Sequence, residues 1–303
     1  MQGINTGKFF ERRGRRIEEF GGVLWHSMEK RTLIALPYHV DLSLERGEVE
    51  RFLWSRLSAG VRYGSTSQAG TPGGIYTIRD KAYTLESLPK NYRRNVRLGL
   101  ERCEIREVEA DTLLAEGLKL NVETMQRQHR WEAEYGEPKQ FERLVRAVED
   151  SEGVFALGAF VDGRLGAYAI CAREDGWLHH LHQFSAVDLL DKYCNHALCF
   201  ELMRSELARA DVEAFCDGFA PLVSLGGLDK FKKNQGFALE ARNTVSVLHP
   251  VIDRTLASDM GRGLLERIRV SRPEDQRIGR VMSIVDAARA AKQKIQMEEV
   301  CVR

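Results

Sequence analysis

From Val154 to Arg173 the chain reads VFALGAFVDGRLGAYAICAR, an almost wholly apolar run broken by Asp162-Gly163. An Asp-Gly pair between two apolar runs signals a hairpin, because both residues tolerate the positive φ that a two-residue turn demands. Two antiparallel neighbours are therefore expected, and what flanks them must extend or cover a sheet. Upstream, CEIREV (103–108) alternates like a strand. The segment 111–131 begins at an Asp cap and carries Leu113, Leu114, Leu118 and Val122 at helical spacing. After Pro138, residues 139–150 form a second amphipathic helix with Phe141, Leu144, Val145 and Val148 facing inward. Downstream, GWLHHLHQF (176–184) is a third strand, 191–210 a helix, VEAFCDGF (212–219) a buried strand, 226–235 a short helix, and 237–250 one or two closing strands.

The residues before Pro89 are harder to order. They suggest strands and a helix interrupted at Gly64–Gly74, which lacks the Gly-Lys-Ser/Thr ending of a phosphate-binding loop and is expected to be a mobile surface loop. PKNYRRNVRLGLER (89–102) opens a helix with proline and sets Lys90, Arg94 and Arg97 along one side, a solvated face or an anion contact. Beyond Val251 the chain reads as helix, with an apolar stripe at Ile278, Val281, Met282 and Val285 suited to docking on its own core or on a second subunit. The expected division is an N-terminal α/β part over 1–88, a central domain over 89–250 and a helical tail over 251–303.

Bulk properties narrow the function. With 45 Lys+Arg against 44 Asp+Glu the net charge is +1, so wholesale binding to DNA or to a membrane surface is not expected and any electrostatic recognition is local. The basic N-terminus has no apolar core behind it, and no apolar run is long enough to span a bilayer. Six scattered cysteines without a Cys-x-x-Cys motif suit reduced thiols and a cytoplasmic protein better than disulfides or a zinc site.

LGGLDKFKKNQGF (225–237) packs Lys230, Lys232 and Lys233 onto one turn before Gly236-Phe237. The element order from Cys103, and a lysine four residues before Gly-Phe, resemble the GNAT acyltransferase fold, in which an acyl donor lies where the fourth and fifth strands splay apart. Together with YTLESLPKNYRRNVRLGLERCEIREV (83–108), the stretch is closer still to the Fem-type aminoacyltransferases and their acetyltransferase-like relatives. The resemblance runs from about Tyr83 to Pro250 and implies an α+β fold: a mixed, mainly antiparallel sheet flanked by helices. It leaves room for the N-terminal part to be a degenerate second GNAT-like unit. It also implies an acyl or aminoacyl group moved from acyl-CoA or aminoacyl-tRNA, without a metal, to an amine of a small molecule, a sugar or a cell-envelope precursor. One departure bears on the donor. SAVDLLDKYCNHAL (185–198) has no glycine where GNAT enzymes wrap the coenzyme A pyrophosphate, which weakens coenzyme A. The helix after Asp111 is in turn too short for the helical insertion typical of tRNA-dependent enzymes.

On this mapping Lys232 stands where a GNAT tyrosine protonates the leaving group, and its cation offsets charge on a departing oxygen or sulfur. A solvated lysine on a short helix is the competing reading. Asp217, at the end of the fifth strand, is placed to receive the amine's proton or to cap the turn before Gly218. His180 and His182 share one face of a regular strand, where they are satisfied or half-exposed strand residues or, with a role in chemistry, a base rather than a metal site. Tyr193 and Asn195 lie where a donor would pass, and Lys233 is a phosphate contact or a solvated lysine. Cys216 reads as a small buried residue rather than a nucleophile. The alternative to an enzyme is a GNAT-like scaffold without a donor site that serves binding or assembly, its helical tail supporting a homo-oligomer.

Overall fold

A computed structural model of the chain describes residues 1–29, 31–220, 226–272, 278–279 and 281–290. Within them the strands are β1 (Ile17–Phe20), β2 (Val23–Glu29), β3 (Thr32–Leu36), β4 (Gly60–Ser65), β5 (Thr71–Ile78), β6 (Glu104–Glu107), β7 (Val154–Val161), β8 (Arg164–Glu174), β9 (Trp177–Ser185), β10 (Ala214–Phe219) and β11 (Ala238–Leu248). They form one sheet in the order β1-β2-β3-β4-β11-β5-β10-β9-β8-β7-β6. Only β3/β4 and β9/β10 run parallel, so the sheet is mixed and mainly antiparallel, flanked by helices. Asp162 and Gly163 take φ of 50° and 79° between β7 and β8, the hairpin conformation expected of them.

The helices that position the site are α1 (Ile4–Arg12), α2 (Arg46–Arg56), α3 (Lys90–Arg102), α4 (Leu118–Arg127), α5 (Pro138–Glu149), α6 (Cys194–Leu207), α7 (Gly226–Asn234) and α8 (Asp259–Ser271). The inward residues Phe141, Leu144, Val145 and Val148 of α5 are all buried, joining Phe9 of α1 and Tyr168 of β8 in one core. A second core includes Val96 of α3, Leu198 and Met203 of α6, and Phe215 of β10. α2 covers a third core with Trp25, Leu33 and Val61. The order strand, helix, parallel strand thus occurs twice, as β3-α2-β4 and as β9-α6-β10.

The stretch 64–74 is not a mobile surface loop. Ser65 ends β4, Thr71 begins β5, and Gln68 between them bonds Leu44 and the Tyr63 hydroxyl through its side chain and the Asn243 amide through its carbonyl. The glycines serve close packing rather than flexibility, because β11 lies between β4 and β5. A Cβ on Gly74 would stand 2.3 Å from the Glu240 carbonyl oxygen and 2.9 Å from Leu239 Cδ1. Gly74→Ala is therefore expected to destabilise the chain by about 1–3 kcal/mol, read as a lower urea midpoint at unchanged m-value. An unchanged midpoint would show that β11 yields freely.

Of the one or two strands expected over 237–250, the structure has one, Ala238–Leu248. The tail docks on its own chain: Val285 and Ala288 pack with Leu248 of β11, joined by Ile252 and Leu265, and Met282 is also buried. Val281 from the same stripe is exposed.

Candidate functional site

β9 and β10 pair over Trp177–His179 and Ala214–Cys216 and then part. β10 stays paired with β5 on its other side: Gly218, at φ 72°, lies in a register shift after which Phe219 pairs with Ile75. β9 continues to Ser185. A β-bulge disturbs it at Leu181: Cys171 of β8 opposes His180, and the next residue back, Ile170, opposes His182. The extra residue breaks the alternation, so His180 and His182 do not share a face as a regular strand would have them. His180 lies over the core that contains Phe215, and His182 contacts Tyr135 in the core on the other side. A cavity of about 670 Å³ opens along this parted edge, and its lining takes in both histidines, Asp217 and Lys232.

The opposite wall is α7, whose end explains the Gly-Phe pair. Gly236 takes φ 91°, its N–H donates to Lys233 O (3.1 Å), and the Phe237 N–H donates to Lys232 O (3.2 Å). These two bonds make a Schellman cap, which needs a residue without Cβ strain at its left-handed position and an apolar residue after it. Phe237 is buried. Asp229 of α7 accepts the Tyr76 hydroxyl at 2.6 Å, and the Tyr83 hydroxyl donates to the Gln235 carbonyl at 2.8 Å. The helix is thereby anchored at both ends, and of its lysines only Lys232 turns inward: Lys230 and Lys233 are exposed.

Three groups meet at the strand ends. Asp217 Oδ1 accepts from His180 Nδ1 at 2.8 Å, and Oδ2 pairs with Lys232 Nζ at 2.8 Å. Lys232 Nζ also donates to the Asp217 carbonyl at 3.3 Å and stands 4.2 Å from the Tyr76 ring centroid, within cation–π range. The Lys232 side chain is 8% exposed and that of Asp217 17%. Burial pushes the Asp217 carboxyl up, but the charge and hydrogen bonds of His180 and Lys232 outweigh it and hold the carboxyl below its ordinary value. His180 Nδ1 donates to the carboxylate, so in the neutral imidazole the lone pair falls on Nε2, which is buried without a hydrogen-bond partner among the described residues.

His182 is already engaged. Arg13 Nη1 donates to its Nε2 at 2.7 Å, Tyr135 lies 3.0 Å from its Nδ1, and burial followed by the charge of Arg13 drives its pKa well down. Asn195 lines the cavity and accepts from Gln183 at 2.8 Å. Tyr193 takes φ 60° ahead of α6 and lines a smaller neighbouring cavity of about 80 Å³ with Asn195 and Phe231. Phe231 is half-buried and lines both cavities. Cys216 is wholly buried, and burial pushes its thiol up to about 12, as befits a packing residue. The structure adds Tyr76, Tyr135, Arg127 and Gln235, which no local motif singles out. Among the described residues no group of three or more His, Cys, Asp or Glu could hold a metal ion, and no helix is long and apolar enough to cross a membrane.

No family model matches the chain, and no curated protein does. Solved structures do share the fold. FemX superposes with a TM-score of 0.58 at 12% identity, over 84% of this chain and 93% of its own. The C-terminal domain of a protein described as a lysylphosphatidylglycerol synthetase, from Agrobacterium fabrum, gives 0.54 at 12% identity, over 89% and 92%. A conserved protein of unknown function from Bacteroides thetaiotaomicron gives 0.54 at 10% identity, over 81% and 90%. The chain thus shares its fold with FemX.

Proposed function

We propose that this protein is an N-acyltransferase whose reacting groups are His180, Asp217 and Lys232. The observation that carries the reading is a carboxylate held between an imidazole and an ammonium at a strand fork, with the far imidazole nitrogen unpaired and His180 among the residues lining a cavity. Asp217, both oxygens engaged, orients His180 rather than taking a proton itself. His180 Nε2 removes a proton from the acceptor amine, whose nitrogen attacks the donor's acyl carbon. The C–N bond forms, the tetrahedral oxyanion collapses, and the C–O or C–S bond to the donor breaks. The departing group leaves with the proton that His180 took, and Lys232 offsets its charge meanwhile. The fold shared with FemX supports the class of reaction.

A basic surface on α3 supports a choice of donor. Lys90, Arg93, Arg94 and Arg97 of α3 line a groove of about 530 Å³ with Leu98 and Glu101, on the helix face turned away from Tyr92, which packs on Phe231 at the cavity wall. A row of cations suits a phosphate backbone, and 185–198 offers no glycine for a pyrophosphate. Both features favour aminoacyl-tRNA over acyl-CoA, with a small-molecule, sugar or cell-envelope amine as acceptor. Both donors are cytoplasmic, and the reading places the protein there. It assigns acyl transfer to 89–250, with 1–88 and 251–303 as flanking parts.

The test is transfer of a labelled aminoacyl group from tRNA, and of acetyl from acetyl-CoA, to a panel of amines. His180→Gln is expected to run about 10²–10⁴-fold slower, as for loss of a general base. Wild-type speed in that variant would remove the base. A melting temperature raised by millimolar coenzyme A, with no transfer from tRNA, would reassign the donor.

A further inference from the structure

A second cavity, of about 310 Å³, adjoins the first and shares Glu132, Tyr135, Leu181 and His182 with it. Its far walls come from the N-terminal third, for which the sequence suggests no purpose. Arg13 and Arg15 follow α1, His26 sits on β2, Tyr38 follows β3 and Arg62 sits on β4. Three arginines line this chamber against a single acid, Glu132, which Arg130 already holds. Arg13 and Arg15 share one carboxylate, Glu134. The Nε atoms of Arg13 and Arg62 are both buried without a hydrogen-bond partner among the described residues, although buried donors are normally satisfied. The Arg62 guanidinium stands 5.5 Å from the Phe219 ring centroid, against an apolar wall.

Resting on the acyltransferase reading, we infer that this chamber is an acceptor subsite for an oxyanion: it holds a carboxylate or phosphate borne by the amine substrate and presents the amine at His180. A guanidinium is weakly hydrated and forks onto such an oxyanion, so desolvated arginines with spare donors are what the group requires. The location also explains why the N-terminal strands belong to the same sheet as the reacting groups: the acceptor spans the two halves.

The experiment is calorimetric titration of the full chain at fixed ionic strength, with inorganic phosphate and, separately, with acetate. Wild type and Lys232→Met are expected to bind at least one of the two with equal affinity. Arg62→Met is expected to weaken that binding about tenfold or more, the effect of losing one charge-assisted contact. If Arg62→Met does not fold by circular dichroism, Arg62→Gln keeps reach and polarity and takes its place. Phosphate alone marks a phosphorylated acceptor, and acetate binding marks a carboxylate. No binding of either anion, binding untouched at Arg62, or binding lost in Lys232→Met would overturn the subsite. Turnover is not read, so failure of the catalytic assignment leaves this result interpretable.

Discussion

Lys232→Met is expected to lower turnover about 10²–10³-fold, the loss seen when one preorganised electrostatic group is taken from an acyl-transfer site, while the chain stays folded. Methionine is unbranched and adapts to a buried slot, so it can fill the space in which Lys232 Nζ stands over the Tyr76 ring. Its cost in stability is moderate, because Asp217 keeps the His180 bond. Lys233→Met removes an equal charge one residue away from an exposed position and is expected to change the rate less than twofold. Steady-state rates for the two variants, with melting curves as the folding control, make the comparison. Equal rates in wild type and Lys232→Met would take the lysine out of the mechanism and leave the cleft without its charge compensation.

Asp217→Asn is expected to cost about 3–5 kcal/mol at neutral pH, since it leaves a buried ammonium without its counter-charge. The pH dependence follows from the depressed carboxyl. In the fold it titrates below the ordinary 3.8, so its stabilising effect is complete above that value and is lost as pH falls through the folded one. The wild-type urea midpoint should therefore drop more steeply below about pH 4 than that of Asp217→Asn, and the two should converge. Midpoints measured at pH 7 and in steps down to pH 2 decide the matter. A gap of constant width throughout that range would mean that the carboxylate gains nothing from His180 and Lys232.

Local chemistry wrote much of this protein plainly. The Asp162-Gly163 turn, the helices over 138–149 and 194–207, and the cap that ends α7 at Gly236 each depend on residues a few positions apart, whose φ preferences and apolar spacing act before any tertiary contact forms. Lys232 was legible for the same reason: a lysine at a fixed distance from its helix-terminating glycine has its place on the turn already set. Its counter-charge Asp217, at the end of an apolar run, could be placed on a strand end but not paired.

What the fold alone decided involves partners distant in sequence. The bulge at Leu181 depends on how β9 meets β8, and it moves His182 away from His180 although the local pattern has them side by side. β11 enters between β4 and β5 because the free edges there accept a strand from the far end of the chain, which turns an apparent glycine loop into tightly packed sheet. Arg13 and Arg62 lie 49 positions apart and look like ordinary surface arginines until the sheet brings them to one chamber. Spacing along a chain specifies turns, caps and faces, because those energies are set within a few residues. The juxtaposition of charges at a site is settled by which strand edges pair, and that is a property of the whole sheet.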